Sequence, residues 1–214
     1  MTDQSWQLAA DDLCSIHTGL RAPLLAEALR ASGDWLDVTC GRETVFVHFD
    51  LAVLDGAQAL AKLATCAIPS NTTTASAPAV DIPACYHPEV APDLAAVCAE
   101  LGLSRNEFVR RHTAGDHEVA MLGFMPGFAY IDGLDPSLEV SRLEQPRQQV
   151  AAGSIGLAGR QTGIYPFEGP GGWRLVARTP LALFDVDATP PARLKAMQKV
   201  RFVPISLDEL EAMQ

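Results

Sequence analysis

The densest run of chemically useful residues is GFMPGFAYIDGLDP, Gly123 to Pro136. Glycine admits positive φ and proline fixes its own, so three glycines and two prolines among three aromatics make a stiff, turning main chain that exposes ring faces. The run reads either as a pocket wall or as a tight barrel corner with Phe124, Phe128 and Tyr130 in the core. A second stretch, PRQQVAAGSIGLAGRQTGIYPFEGPGGWRLVARTP, runs from Pro146 to Pro180. Its strand-like pieces SIGLAG and WRLVART flank Gln161, Thr162, Tyr165 and Glu168, polar residues set among Gly and Pro that can hydrogen-bond a ligand from a rigid frame. Arg147 and Arg178 suit the planar, forked recognition of a carboxylate or phosphate, although a lone arginine is more commonly solvated or paired with an acid.

His112 and His117 flank the turn TAGD. A histidine there serves as a general acid or base near neutrality or, more commonly, caps a helix C-terminus. Cys85 and Cys98 have no basic neighbour to lower a thiol pKa, which marks them as buried structural cysteines. The sequence contains no G-x-x-x-x-G-K-[ST] loop, no G-x-G-x-x-G after a strand, no G-x-S-x-G and no H-E-x-x-H. An ATP site wholly inside this chain, a serine hydrolase and a zinc protease therefore have no anchor.

The elements that must position these residues fall into two regions, expected over 1–84 and 85–214. Trp6 to His17 reads as an edge strand, Pro23 opens a helix that stops at Gly33, and WLDVTC and ETVFVHFD form a hairpin about Gly41-Arg42. LDGAQALAKLATCA is a second helix, Ser70 to Pro78 an aperiodic loop, and VDIPACY a further strand. The order βαββαβ is that of the ferredoxin-like motif, so the predicted class is α+β. Beyond it, a helix from Pro92 to Gly102 and another opened by the capping box Ser104 to Glu107 precede short strands between His117 and Ile205, with PPARLKAM the one helical stretch. That pattern predicts a closed or nearly closed β-barrel.

A net charge of −10 with scattered basic residues argues against nucleic acid, and apolar runs broken well short of the ~20 residues of a membrane helix argue against a span. The acidic N-terminus does not read as an export signal, which leads to a cytoplasmic expectation. Five widely spaced cysteines without a C-x-x-C pair predict reduced thiols and no metal cluster.

The motifs HTAGDHEV, LGFMPGFAYIDGLDP and the Pro146 to Asp185 stretch together resemble the family that includes the B subunit of 5-oxoprolinase, allophanate hydrolase subunit 1 and Kip-type sporulation-kinase inhibitors. The resemblance covers about Val80 to Ile205 and implies a cyclophilin-like barrel after a small α/β domain. It implies a protein that acts with a cyclophilin-like C subunit and an A subunit to open 5-oxo-L-proline to L-glutamate at the expense of ATP, with magnesium, at a site shared between chains, and that is inactive alone. The family's other branches imply an inhibitor of a histidine kinase, or an allophanate hydrolase or urea carboxylase type of carboxyltransferase subunit. Carried over by motif position, the catalytic candidates are His112, Arg147, Gln161 and Arg178. The substrate-binding candidates are Thr113, Phe124, Pro126, Gly127, Phe128, Tyr130, Thr162, Tyr165 and Trp173. Where relatives have C-Y-G-G this chain has Cys85-Tyr86-His87-Pro88, and where they have A-G-G-Q it has Ala158-Gly159-Arg160-Gln161. The second departure predicts that Arg160, beside the pocket, alters which anion is accepted.

Overall fold

The structure, a computed structural model, describes residues 5–66 and 79–213. Its contacts divide it into two units, Met1–Ser76 and Ala77–Gln214. In the first, the expected edge strand is a hairpin, β1 (Gln7–Ala10) and β2 (Leu13–His17), folded about Asp11 and Asp12. Helix α1 (Ala22–Ser32) carries Pro23 in its first turn, where no N–H is lost, and stops at Gly33, whose φ of 70° only glycine adopts without cost. Strands β3 (Asp37–Cys40) and β4 (Thr44–His48) pair antiparallel, and α2 (Gly56–Ala64) starts at a reciprocal Asp55 and Gln58 capping box. Leu25 and Leu29 of α1 and Leu63 of α2 close over Ile16, Val45 and Val47 of the sheet.

The sheet order β1-β2-β4-β3 corrects the ferredoxin-like expectation. The strand expected to complete that motif, VDIPACY, is β5 (Val80–Cys85), and it pairs within the sheet of the second unit. β1 takes the outer place beside β2, leaving the order ββαββα. The loop expected over 70–78 lies outside the described residues.

The second unit opens with β5 and two helices, α3 (Leu94–Leu101) and α4 (Arg105–Thr113). Gly102, at φ 65°, ends α3, and the Ser104 hydroxyl accepts the Glu107 N–H at 3.2 Å to start α4. Only half of the expected capping box forms there, because Arg110 and Arg111 take the Glu107 carboxylate. Strands β6 (Glu118–Leu122), β7 (Ala129–Asp132), β9 (Ser154–Ala158), β10 (Gln161–Ile164), β12 (Arg174–Arg178) and β13 (Val200–Ile205) join β5 in one sheet of order β13-β5-β12-β9-β10-β7-β6. Strands β8 (Arg147–Val150) and β11 (Gly169–Gly171) form a separate ribbon.

The seven-stranded sheet is curled so strongly that its ends meet: the Val119 N–H donates to Gln198 O at 2.9 Å, and the Val200 N–H to His117 O at 3.0 Å. The architecture is thus mixed α+β around a curled, barrel-like sheet. PPARLKAM is not helical, and its residues form turns in which Met197 has φ 64°. Its main chain bonds to other elements instead: the Arg193 N–H donates to Leu183 O at 2.9 Å and the Met197 N–H to Val119 O at 2.7 Å. A final helix, α5 (Leu207–Ala212), follows the Ser206 and Glu209 capping box. Among the described residues no helix is long and apolar enough to cross a membrane.

Candidate functional site

Side chains alternate across the strands, so the curled sheet has two faces of different character. Ala129, Ile131, Ile155, Leu157, Ile164 and Val176 point to the face covered by Leu94, Val97 and Phe108 of α3 and α4. Tyr130, Ala158, Leu175 and, from the loops, Phe128, Tyr165 and Trp173 lie on the other face.

The covered face holds His112, which is fully buried. Its Nδ1 lies 2.7 Å from the Tyr86 hydroxyl and its Nε2 3.2 Å from Thr162 Oγ1, while its ring packs at 4.6 Å from Phe202. Burial, and secondarily the neighbouring His117, hold its pKa down at about 3, and burial also raises that of Tyr86. His112 is therefore a neutral, hydrogen-bonded core residue, neither solvent-facing acid or base nor helix cap. The capping falls to His117, whose Nε2–H donates to the His112 carbonyl at 2.6 Å. Burial lowers the His117 pKa as well, against hydrogen bonds with the His112 and Asp132 main chain.

The open face carries an aromatic cavity of about 240 Å³ lined by Phe124, Phe128, Tyr130, Tyr165 and Trp173, with Arg142, Pro146, Pro170, Gly171 and Gly172. Two cross-strand glycines make room for it. Gly156 and Gly163 are directly paired on β9 and β10. A Cβ on Gly163 would sit 2.7 Å from Trp173 Cζ3 and 2.8 Å from Phe128 Cζ, and one on Gly156 would sit 2.8 Å from Trp173 Cβ. The indole thus lies against bare backbone. Phe128 is the hub, edge-on to Tyr130 at 4.9 Å, Tyr165 at 5.0 Å, Phe124 at 5.5 Å and Trp173 at 5.7 Å, contacts worth about 0.5–1.5 kcal/mol each beyond area burial. The turn that presents Phe124 is closed by Phe128 N–H to Met125 O at 3.0 Å, and it holds Phe124 at φ 73° and 63% exposed.

Of the residues singled out from sequence, five line this cavity: Phe124, Phe128, Tyr130, Tyr165 and Trp173. Gly127, at φ 80°, packs under the Phe124 turn against Phe184 and Leu183, and Pro126 is exposed. Thr113 returns its hydroxyl to the Val109 carbonyl of its own helix, and Thr162 faces His112 on the covered side. Gln161 donates to Asp132 Oδ1 at 2.8 Å. Arg178 donates to the Ala152 carbonyl at 3.0 Å and is not among the lining residues. Arg160 is exposed in the β9–β10 turn and does not line the cavity either.

Arg147 is paired: its Nη2 reaches Asp93 Oδ1 at 2.6 Å, and Asp93 Oδ2 accepts the Leu175 N–H at 2.7 Å. Its Nη1 is buried without an acceptor. Sequence reasoning missed Arg142, whose guanidinium sits 5.7 Å over the Trp173 ring, and Asp93, which looked like part of a helix start. A solitary exposed arginine in a loop carries no spacing signal. Burial raises the Tyr165 pKa, opposed by its hydrogen bond to the Trp173 main chain and by the charges of Arg142 and Arg147.

A larger hollow of about 590 Å³ lies on the first unit, between Trp6, Ile16, Leu60 and Leu63. Among its described lining residues Cys66 is the one ionisable group, a thiol whose pKa burial pushes up. Among the described residues no group of three or more His, Cys, Asp or Glu is placed to hold a metal ion.

The family described as carboxyltransferase domain, subdomain C and D, matches residues 1–194. The chain is 45% identical over 133 residues to the 5-oxoprolinase B subunit of Bacillus subtilis, covering 62% of this chain and 55% of that protein. It is 44% identical over 125 residues to the 5-oxoprolinase B subunit of Escherichia coli O157:H7, covering 58% and 57%. It thus spans little more than half the length of these relatives. Among solved structures, TTHA0988 superposes with a TM-score of 0.81 at 29% identity over 92% of this chain and 40% of that one. PH0987 from Pyrococcus horikoshii superposes with a TM-score of 0.61 at 32% identity over 96% and 99%. The urea amidolyase of K. lactis, at 19% identity over 99% of this chain and 16% of that one with a TM-score of 0.70, shares the fold.

Proposed function

We infer the activity from one premise: this chain belongs to the carboxyltransferase-domain family, subdomains C and D. On it we propose that the chain is the B subunit of an ATP-dependent 5-oxoprolinase, acting with A and C subunits to convert 5-oxo-L-proline to L-glutamate. The observation that carries this reading is the 40–45% identity to three proteins, each named as the B subunit of 5-oxoprolinase. The likeness to urea amidolyase speaks to the fold alone, and no specific observation favours a kinase inhibitor or an allophanate hydrolase.

The chemistry suits a shared site. A lactam carbonyl is a poor electrophile. Attack of its oxygen on the terminal phosphoryl group of ATP releases ADP and activates the carbonyl carbon. Water then adds to that carbon, the ring C–N bond breaks as the nitrogen takes a proton, and a second water releases phosphate from the resulting acyl phosphate. The sequence has no phosphate loop of the G-x-x-x-x-G-K-[ST] type. In the proposed complex the nucleotide and its magnesium are held between this chain and the C subunit. This chain contributes the aromatic cavity and its arginine, and by itself does not turn over substrate.

The test is to assemble the chain with its A and C partners and measure ATP hydrolysis with and without 5-oxoproline. The proposal expects hydrolysis that depends on 5-oxoproline and on all three subunits. A complex that assembles normally yet hydrolyses no ATP in response to 5-oxoproline contradicts it.

A further inference from the structure

The cavity's lining restricts what it can hold. Its volume of about 240 Å³ is below the roughly 300–1,000 Å³ that encloses a drug-sized ligand, so a single ring system fits. Its walls are the flat faces and edges of Trp173, Phe128 and Tyr130, which favour a planar guest. Aromatic boxes often bind cations. Here that option is opposed, because none of the ten lining residues is acidic and Arg142 already stands over the Trp173 face. Arg142 is exposed and makes no ion pair among the described residues, so its forked donors are available at the mouth.

We propose that this cavity binds a flat, uncharged ring bearing an anionic group, with the ring between Phe124, Tyr130 and the exposed edge of Trp173 and the anion on Arg142. The proposed 5-oxoprolinase activity, on which this inference rests for its candidates, supplies two sources of that chemistry: a lactam carboxylate and an adenine nucleotide. The ring-plus-anion arrangement is common to both.

Calorimetric titration tests it, on the whole chain and on its complex with the partner subunits, using 5-oxoproline, ADP and tetramethylammonium as separate probes. At least one of the two anionic probes is expected to bind, the one whose affinity falls in Arg142→Gln identifies the source, and tetramethylammonium is expected not to bind. Arg142→Gln should weaken the binding about tenfold, the loss of one charge-assisted contact, with an unchanged thermal midpoint because the residue is exposed. Phe124→Ala, which opens the wall at another exposed position, should weaken it several-fold. Binding of neither anionic probe in either preparation, preference for tetramethylammonium, or unchanged affinity in Arg142→Gln each overturns the inference. The two proposals separate cleanly. Turnover that ignores Arg142→Gln removes this inference and leaves the activity, whereas Arg142-dependent binding in a complex without turnover does the reverse.

Discussion

The two faces of the curled sheet carry similar residue types with opposite consequences. On the covered face, Tyr86, His112, His117 and Thr162 form a hydrogen-bonded cluster under α4 and Phe202, sealed from solvent. On the open face, Tyr130, Tyr165, Trp173 and Arg142 surround a cavity. The difference teaches that packing, more than residue type, decides which side of a sheet is open to a ligand: a helix laid over polar groups turns them into core, and on the opposite side a pair of glycines lets an aromatic wall settle on the sheet beside a cavity.

Removing the cluster should have the largest effect. His112→Ala deletes a buried ring and strands Tyr86 and Thr162, so the expected cost is about 3–5 kcal/mol of stability in chemical denaturation. Activity per folded complex should survive, and a selective loss of turnover with normal stability would put the chemistry back on the covered face.

The same histidine sets an acid limit. Its folded pKa, about 3, lies below the ordinary 6.5, so the unfolded chain binds the proton more readily. Its contribution is complete above pH 6.5 and is lost as pH falls towards 3, at about 1.4 kcal/mol per pH unit while only the unfolded state is protonated. Denaturation midpoints followed from pH 7 to 4 should fall more steeply in the natural chain than in His112→Asn. Parallel curves would mean that the buried ring does not govern acid stability.

The open face predicts the reverse balance. Gly163→Ala pushes a methyl group into Trp173 and Phe128 and should cost about 1–3 kcal/mol while abolishing ligand binding to the cavity. Smallest of all, Arg178→Ala removes one exposed bond to the Ala152 carbonyl and should change stability by no more than about 0.5 kcal/mol, with binding intact. Loss of binding there would extend the site beyond the cavity.

The sequence made local features legible and concealed non-local ones. Pro23 and Gly33 bracket α1, and Gly102 and Ser104 separate α3 from α4, because caps act within a few residues. The β1–β2 turn carries Asp11-Asp12, a turn former without Gly or Pro beside it, and these polar residues also fit the mixed pattern of a single edge strand. The parallel pairing of β5 with β13, from Val80 to Val200, depends on residues 120 apart that no window contains. The run Gly123 to Pro136 had two readings, pocket wall or core, and both hold: Phe124 is largely exposed at the cavity mouth while Phe128 is buried as its hub. The residue type of His112 suggests catalysis, and no local pattern discloses its burial, which arises from α4 packing on β13 and β10. Arg147 and Arg178 lay in the right motif, but the former pairs with Asp93 and the latter meets main chain. The cavity's cation came from Arg142, outside every motif.

The chain's three tryptophans allow the most direct test of the open face. With 5-fluorotryptophan incorporated, the Trp173 resonance, assigned by Trp173→Phe, is followed while 5-oxoproline or ADP is titrated into the assembled complex. Trp6 and Trp35, which belong to the first unit, serve as internal controls. The account predicts that the Trp173 signal alone shifts, and that with 5-oxoproline it is half-complete near the concentration that half-saturates turnover. A Trp173 signal that stays fixed while the complex turns over substrate would contradict it.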